Sequence, residues 1–153
     1  MDNYSHKTKK KINLINELIN KIKGRKIKHK KKHRKLKKIN TILNITIHGL
    51  NAVSVSAIVI SFSGFPPIVI LSLITSSLAT IIGVSKEAYG FDHKIQSHNT
   101  AYLQYQDLEL TTQNKILRNN MSADDYTILL DDINAKLGLI SDSAEPISTS
   151  EQL

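Results

Sequence analysis

The chain has no cysteine, which excludes disulfides, Cys-ligated zinc, iron–sulfur clusters and thiol catalysis, and fits a reducing compartment. It also lacks a Gly-rich phosphate loop, a nucleophile elbow and a His-Glu-x-x-His arrangement. The nearest thing to an acid/base or metal site is the pair of doublets Asp124, Asp125 and Asp131, Asp132, whose seven-residue spacing describes the solvated face of an amphipathic helix. No enzyme, metal, cofactor or small-molecule substrate is therefore expected. The most telling absence is of charge. From Ile39 to Ser85, 47 residues pass without Asp, Glu, Lys or Arg, in a chain where 22% of residues carry charge.

What charge there is lies at the two ends, with opposite signs. Residues 1–38 hold 16 of the 21 Lys and Arg against two acids, or +14, while residues 86–153 hold five bases against 11 acids, or −6; the sum is the net +8. Heavy use of Ile, Asn and Lys is a bias that AT-rich coding sequence produces.

Exclusion of charge from hydrocarbon explains the neutral middle, residues 39–85. It divides at Ser63-Gly64-Phe65-Pro66-Pro67, because two successive prolines remove donors and push the preceding residue out of helical conformation. Two spans follow, 42–62 and 68–85, joined by a turn at 63–67. At the helical rise they reach about 31 Å and about 27 Å, against a hydrocarbon core of about 30 Å. Apolar residues surround the second span on all sides, whereas Asn44, His48 and Asn51 make the first the less apolar of the two. The expected fold is all-α: a two-helix transmembrane hairpin flanked by cytoplasmic amphipathic helices. The basic arm sets the orientation, since Lys and Arg next to a span stay on the cytoplasmic side, and a hairpin returns the C-terminus to that side. Both termini are expected to be cytoplasmic, with no signal peptide or myristoylation site, and the sequon at Asn120 is expected to stay unmodified.

The arm, 1–38, opens with Ile12, Ile15, Ile19 and Ile22 at spacings of three and four, a short amphipathic helix that Gly24 is expected to end or weaken. Beyond it Lys26, Lys28, Lys30, Lys31, Lys32, Arg34, Lys35, Lys37 and Lys38 form a dense block with no Phe, Tyr or Trp on which a base could stack. Such a block beside a span reads first as contacts to the anionic headgroups of a lipid bilayer; nucleic acid or another polyanion is the alternative partner. His29 and His33 stand four apart, as metal ligands can, but among so many lysines they read as bystanders.

Within the first span Thr41, Asn44, His48 and Asn51 follow at three, four and three, so they share one helical face. Intramembrane polar rows of this kind join helices or line a water path. On the second span Ser72, Ser76, Ala79 and Gly83 form a column of small residues that permits close helix packing. One hairpin cannot enclose a pore, so any channel is a homo-oligomer.

In the region 86–140, Ile95, His98, Tyr102 and Tyr105 keep a helical period, with Leu103, Leu110 and Leu117 on an adjoining seven-residue row suited to coiled-coil packing. Ser122 and Asp125 have capping-box spacing; Tyr126, Leu130, Ile133 and Leu137 form an apolar stripe that Gly138 is expected to stop. A helical hairpin and a loose tail, 141–153, follow. Two hydrophobic helices with a short turn, a helix bearing His98, Tyr102, Tyr105 and Leu108, a further acidic and apolar helix, and a closing Ala144-Glu145-Pro146-Ile147 resemble the SLATT family. That resemblance, over roughly residues 39–147, implies a two-transmembrane, pore-forming or membrane-perturbing effector of nucleotide-sensing conflict systems. The competing expectation is a non-channel structural protein of a virion or organelle membrane, tethering a bilayer to an anionic scaffold or nucleic acid through the arm.

Overall fold

The computed structural model describes residues 2–61, 66–117 and 121–144. Most of the turn at 63–67, the sequon residue Asn120 and the tail from Glu145 onward, including Pro146 and Ile147, lie outside the described residues. The fold is all-α: α1 (Asp2–Ser61), α2 (Pro66–Tyr89), α3 (Phe91–Leu117) and α4 (Ala123–Ser143), with no strand among the described residues.

Local chemistry sets most of the boundaries. Pro66 and Pro67 occupy the first turn of α2, where a missing N–H costs nothing and a fixed φ is already helical. Gly90, at φ +66°, separates α2 from α3, a conformation that only a residue without Cβ adopts readily. Its N–H donates to the Glu87 carbonyl at 2.9 Å and its carbonyl accepts from Lys94 at 3.0 Å, so the joint satisfies both flanking turns. Ser122 caps α4: its hydroxyl accepts from the Asp125 N–H at 3.2 Å, and the Asp125 carboxylate accepts from the Ser122 N–H at 2.7 Å. The Ser122 hydroxyl also donates to that carboxylate at 2.7 Å, and this bond, with the one from the Ser122 backbone, holds the Asp125 carboxyl below its ordinary range.

Two glycines do not act as expected. α1 runs through Gly24, and α4 runs past Gly138 to Ser143. A helical glycine costs about 1 kcal/mol relative to alanine, and buried neighbours outweigh that: Ile22 and His29 around Gly24, Leu137 and Ile140 around Gly138.

The chain forms two compact units, residues 1–33 with 96–153, and residues 34–95. The first is a three-helix bundle. Ile15, Ile19 and Ile22 of α1 pack with Ala101, Tyr105 and Leu108 of α3 and Leu129, Ile133, Leu137 and Ile140 of α4. No local pattern in the sequence joins the arm to the C-terminal helices; the isoleucine stripe is the face that meets them. α3 buries His98, Ala101, Tyr105, Leu108, Glu109 and Thr112, so the expected leucine row faces outward, with Leu103, Leu110 and Leu117 all exposed. In the second unit the rest of α1 pairs antiparallel with α2 and the first turn of α3, as the contacts Ser54 to Ser72 and Asn40 to Asp92 show.

A single period underlies the buried side of α1. Within the first unit Ile15, Ile19, Ile22, Lys26, His29 and His33, and within the second Leu36, Asn40, Leu43, Ile47, Leu50, Ser54 and Ala57, are each buried or half-buried at alternating spacings of three and four. That is the seven-residue repeat of a helix packed along its length.

Candidate functional site

The second unit carries the most apolar helices of the fold. α1 and α2 are long and apolar enough to cross a membrane, and only 11% and 17% of their most apolar windows are buried within the fold, unlike the core helices of a water-soluble protein. Ile42, Ile45, Val55, Ile58, Val59, Val69, Ile70, Leu73, Ile74, Ile81 and Val84 are all at least half exposed, a dense set of uncovered apolar side chains. Most of the hydroxyls in these helices are satisfied internally. Thr41, Thr46, Ser54, Ser56, Thr75, Ser77 and Thr80 each donate to the carbonyl four residues back, at 2.8–3.0 Å, which removes their demand for water.

Small residues lie on the buried side of both helices, and the members of the expected column divide. Ser72 and Ala79 are buried, as are Ser54 and Ala57 of α1; Gly83 is half-buried and Ser76 faces outward. Thr75, three residues from Ser72, takes the place expected of Ser76. The Ser72 hydroxyl donates to the Ser54 carbonyl at 3.1 Å, and the Ser54 and Thr75 hydroxyls lie 2.6 Å apart.

The polar row of α1 sits one residue round from its buried seam, and its members part company. Asn44 is half-buried and its side-chain oxygen accepts from Lys86 Nζ at 2.8 Å. Thr41, His48 and Asn51 face outward. Thr41 bonds its own helix, but neither His48 nor Asn51 makes a side-chain hydrogen bond among the described residues. Near Asn44 the polar groups gather: Asn40 donates to Asp92 at 2.9 Å, Lys86 lies 4.0 Å from Asp92, and the Asn40 side-chain oxygen is buried without a partner among the described residues. The Tyr89 and Phe91 rings stack at 4.5 Å, and Lys94 lies 3.8 Å over Tyr89. This is the aromatic and cationic composition of a membrane–water boundary.

In the first unit, the basic run supplies part of the interior. His29 and His98 are both buried, with Nδ1 atoms 3.0 Å apart and rings 5.2 Å apart; Tyr105 stacks on His29 at 5.6 Å. One Nδ1 donates and the other accepts, so the pair is satisfied when both rings are neutral. Burial first, then the proximity of His98 and Arg25, pushes His29 down to about 4. His29 is thus a packed core group, contrary to its expected bystander role. Its spacing carries the signal: it lies seven residues after Ile22 and seven before Leu36, both buried. Around it Lys26 pairs with the buried carboxylate of Glu109, Arg25 donates to the Tyr105 hydroxyl at 3.3 Å, and Lys30 lies 5.3 Å over Tyr102. Of the nine expected headgroup contacts, Lys26 and Lys30 are therefore engaged within the chain, as are Lys32 and Lys35. Lys32 is half-buried; Lys28, Lys31, Arg34, Lys35, Lys37 and Lys38 are exposed. Compared with protein-family models, with characterised proteins and with solved structures, the chain finds no match.

Proposed function

We propose that this is an integral membrane protein of two spans, SLATT-like in build, whose hairpins associate side by side through the outward row of Thr41, His48 and Asn51 to form a pore, with both termini on the cytoplasmic side. One observation carries the reading: His48 and Asn51 are exposed, without a hydrogen-bond partner among the described residues, on a surface made mainly of Ile, Val and small or self-bonded residues. Against hydrocarbon each such group costs several kcal/mol by order of magnitude. Neighbouring copies that turn these rows toward one another, or toward water held between them, remove that cost. The self-bonded hydroxyls and the anchors at Tyr89, Phe91 and Lys94 support the same placement in a bilayer.

Release of ions or dye from liposomes carrying the purified chain tests the proposal. Flux that falls in His48→Leu and Asn51→Leu, with unchanged helix content, supports it; intact liposomes at high protein loading refute it. A second reading has its own observation, the exposed cations Lys28, Lys31, Arg34, Lys37 and Lys38. There the protein is a non-conducting tether that holds a bilayer against a polyanionic scaffold or nucleic acid. It predicts salt-sensitive recruitment that is lost on replacing these five by Gln, with no flux at any loading.

A further inference from the structure

The face of α3 that the first unit leaves open carries a seven-residue order of its own. Thr100, Leu103, Asp107, Leu110, Asn114 and Leu117 stand at alternating spacings of three and four, and all six are exposed, the leucines by 53%, 51% and 74%. Thr100, Leu103, Asp107, Leu110 and Asn114 each lie two residues from buried His98, Tyr105 or Thr112, and a two-residue step turns a helix by about 200°. The row therefore points away from α1 and α4, which pack on the buried side.

Charge is scarce on this face. Between Gln96 and Leu117, α3 holds Asp107, Glu109 and Lys115 as its acids and bases. Glu109 is buried on Lys26 and Lys115 pairs with Asp132 at 3.0 Å, whereas Asp107 stands in the open row with no ion pair among the described residues. Asn99, Gln106 and Gln113 flank the row on one side, Gln104 and Thr111 on the other. Each of these side chains both donates and accepts, so an identical face meets them without opposing like charges. The exposed faces of the neighbouring helices differ. α1 presents Lys21 and Lys28, and α4 presents Asp124 and Asp131, groups that a copy of the same face repels.

We propose that α3 of the first unit pairs with α3 of a second copy of this chain, parallel and in register, about a two-fold axis that runs along the pair between the two open rows. In each copy the first unit's α1 and α4 segments lie behind α3, so the approach is clear. Leu103, Leu110 and Leu117 then each meet their own counterpart, the leucine layers of a two-stranded coiled coil, and Thr100, Asp107 and Asn114 fill the alternate layers. An asparagine in such a layer bonds its own copy and fixes a parallel register. Antiparallel packing alternates the two kinds of layer, which sets each leucine against a polar member of the row. Asp107 also meets its own copy, a like-charge layer that weakens the pair and marks its register. The contact uses no residue of the apolar hairpin and does not rest on the pore reading.

A cysteine-free chain allows a direct test with the full-length protein in non-ionic detergent. Leu103→Cys and Leu117→Cys chains, each oxidised alone, are expected to yield a disulfide-linked dimer, whereas Ile128→Cys, exposed on α4, yields none. No crosslink in either chain, or one that forms only when the two chains are mixed, overturns the proposal. Asp107 then reports on register. Two Leu103→Cys chains with tags of different size, one native at Asp107 and one Asp107→Lys, are mixed in equal amounts, exchanged under reducing conditions and oxidised. Only the mixed dimer opposes unlike charges, so its ratio to either homodimer is expected to rise several-fold above random pairing; a ratio at or below random overturns the proposal. Leu103→Cys carrying His48→Leu/Asn51→Leu is expected to crosslink as well as Leu103→Cys alone. Failure of the pore reading therefore shows as absent flux with the crosslink intact, and loss of the crosslink in that chain overturns the contact at α3.

Discussion

Acidification tests the imidazole pair most directly. His29 titrates near 6.5 when unfolded and near 4 in the bundle, where burial disfavours the cation and His98 and Arg25 repel it. Between those two values the unfolded chain binds the proton and the folded chain does not, so stability falls as pH drops through that window and is fully retained above it. A tenfold difference in proton affinity corresponds to about 1.4 kcal/mol, so lowering pH from 7.5 to 4.5 is expected to remove about 2.5 kcal/mol. Asp125 and Asp132 do not interfere. Both are held below 3.8 when folded, so their contributions are present above 3.8 and disappear only at lower pH. The assay is denaturant unfolding of the full chain in neutral detergent, followed by circular dichroism at several pH values. A His29→Leu/His98→Leu chain, with an apolar pair in the same space, is expected to lose most of that pH dependence. An equal acid loss in that chain, or none in the native one, refutes the argument.

Three smaller effects follow from the same bundle. Ile133 is fully buried among α1, α3 and α4, so Ile133→Ala is expected to cost about 2–5 kcal/mol by chemical denaturation. Ser122→Ala removes the α4 cap and is expected to cost about 1 kcal/mol, with amide exchange rising first in the turn after Ser122. Lys26→Met leaves the Glu109 carboxylate buried without its cation and is expected to destabilise by about 3 kcal/mol, whereas Lys26→Met/Glu109→Met recovers most of the loss.

Local signals were the legible part of this chain. The Ser122–Asp125 box depends on a few adjacent residues and starts α4, whereas Pro66 and Pro67, expected in the turn at 63–67, instead open α2. What could not be read was which faces meet. Leu103, Leu110 and Leu117 repeat at seven and look like a seam, yet α3 buries the row through His98, Tyr105 and Thr112, which also repeats at seven and is largely polar. Periodicity finds rows on a helix, and only the partner decides which row is covered. The arm shows the same effect more strongly. Lys26, His29 and His33 are seam positions, but a run so rich in lysine hides any period in polarity. The buried groups become visible only when Glu109, His98 and Tyr105 stand opposite them. Gly24 and Gly138 show the converse, a local preference of about 1 kcal/mol overruled by apolar burial on either side.

The buried seam of α1 keeps one spacing from Ile15 to Ala57 while its polar members change character. Up to His33 they are ionisable, Lys26, His29 and His33; from Leu36 onward they are neutral, Asn40 and Ser54. Packing geometry does not require that change, since the same period accommodates Lys26 against a carboxylate and Ser54 against Ser72 and Thr75. A change of solvent, as the proposed two-span placement supplies, does. A seam carboxylate can be matched by a cation where water screens the remainder, but in hydrocarbon an aspartate near the middle of a span costs about 2.5–3.5 kcal/mol. Ser54→Asp is therefore expected to reduce membrane insertion of the hairpin by about 100-fold at equilibrium, scored by glycosylation tags engineered on either side of the span. His33→Asp, on the same seam, is expected to leave insertion unchanged. Equal insertion of Ser54→Asp and the native chain would mean that the uncharged stretch is packed against protein, and the interpretation of His48 and Asn51 as pore-lining would fail with it.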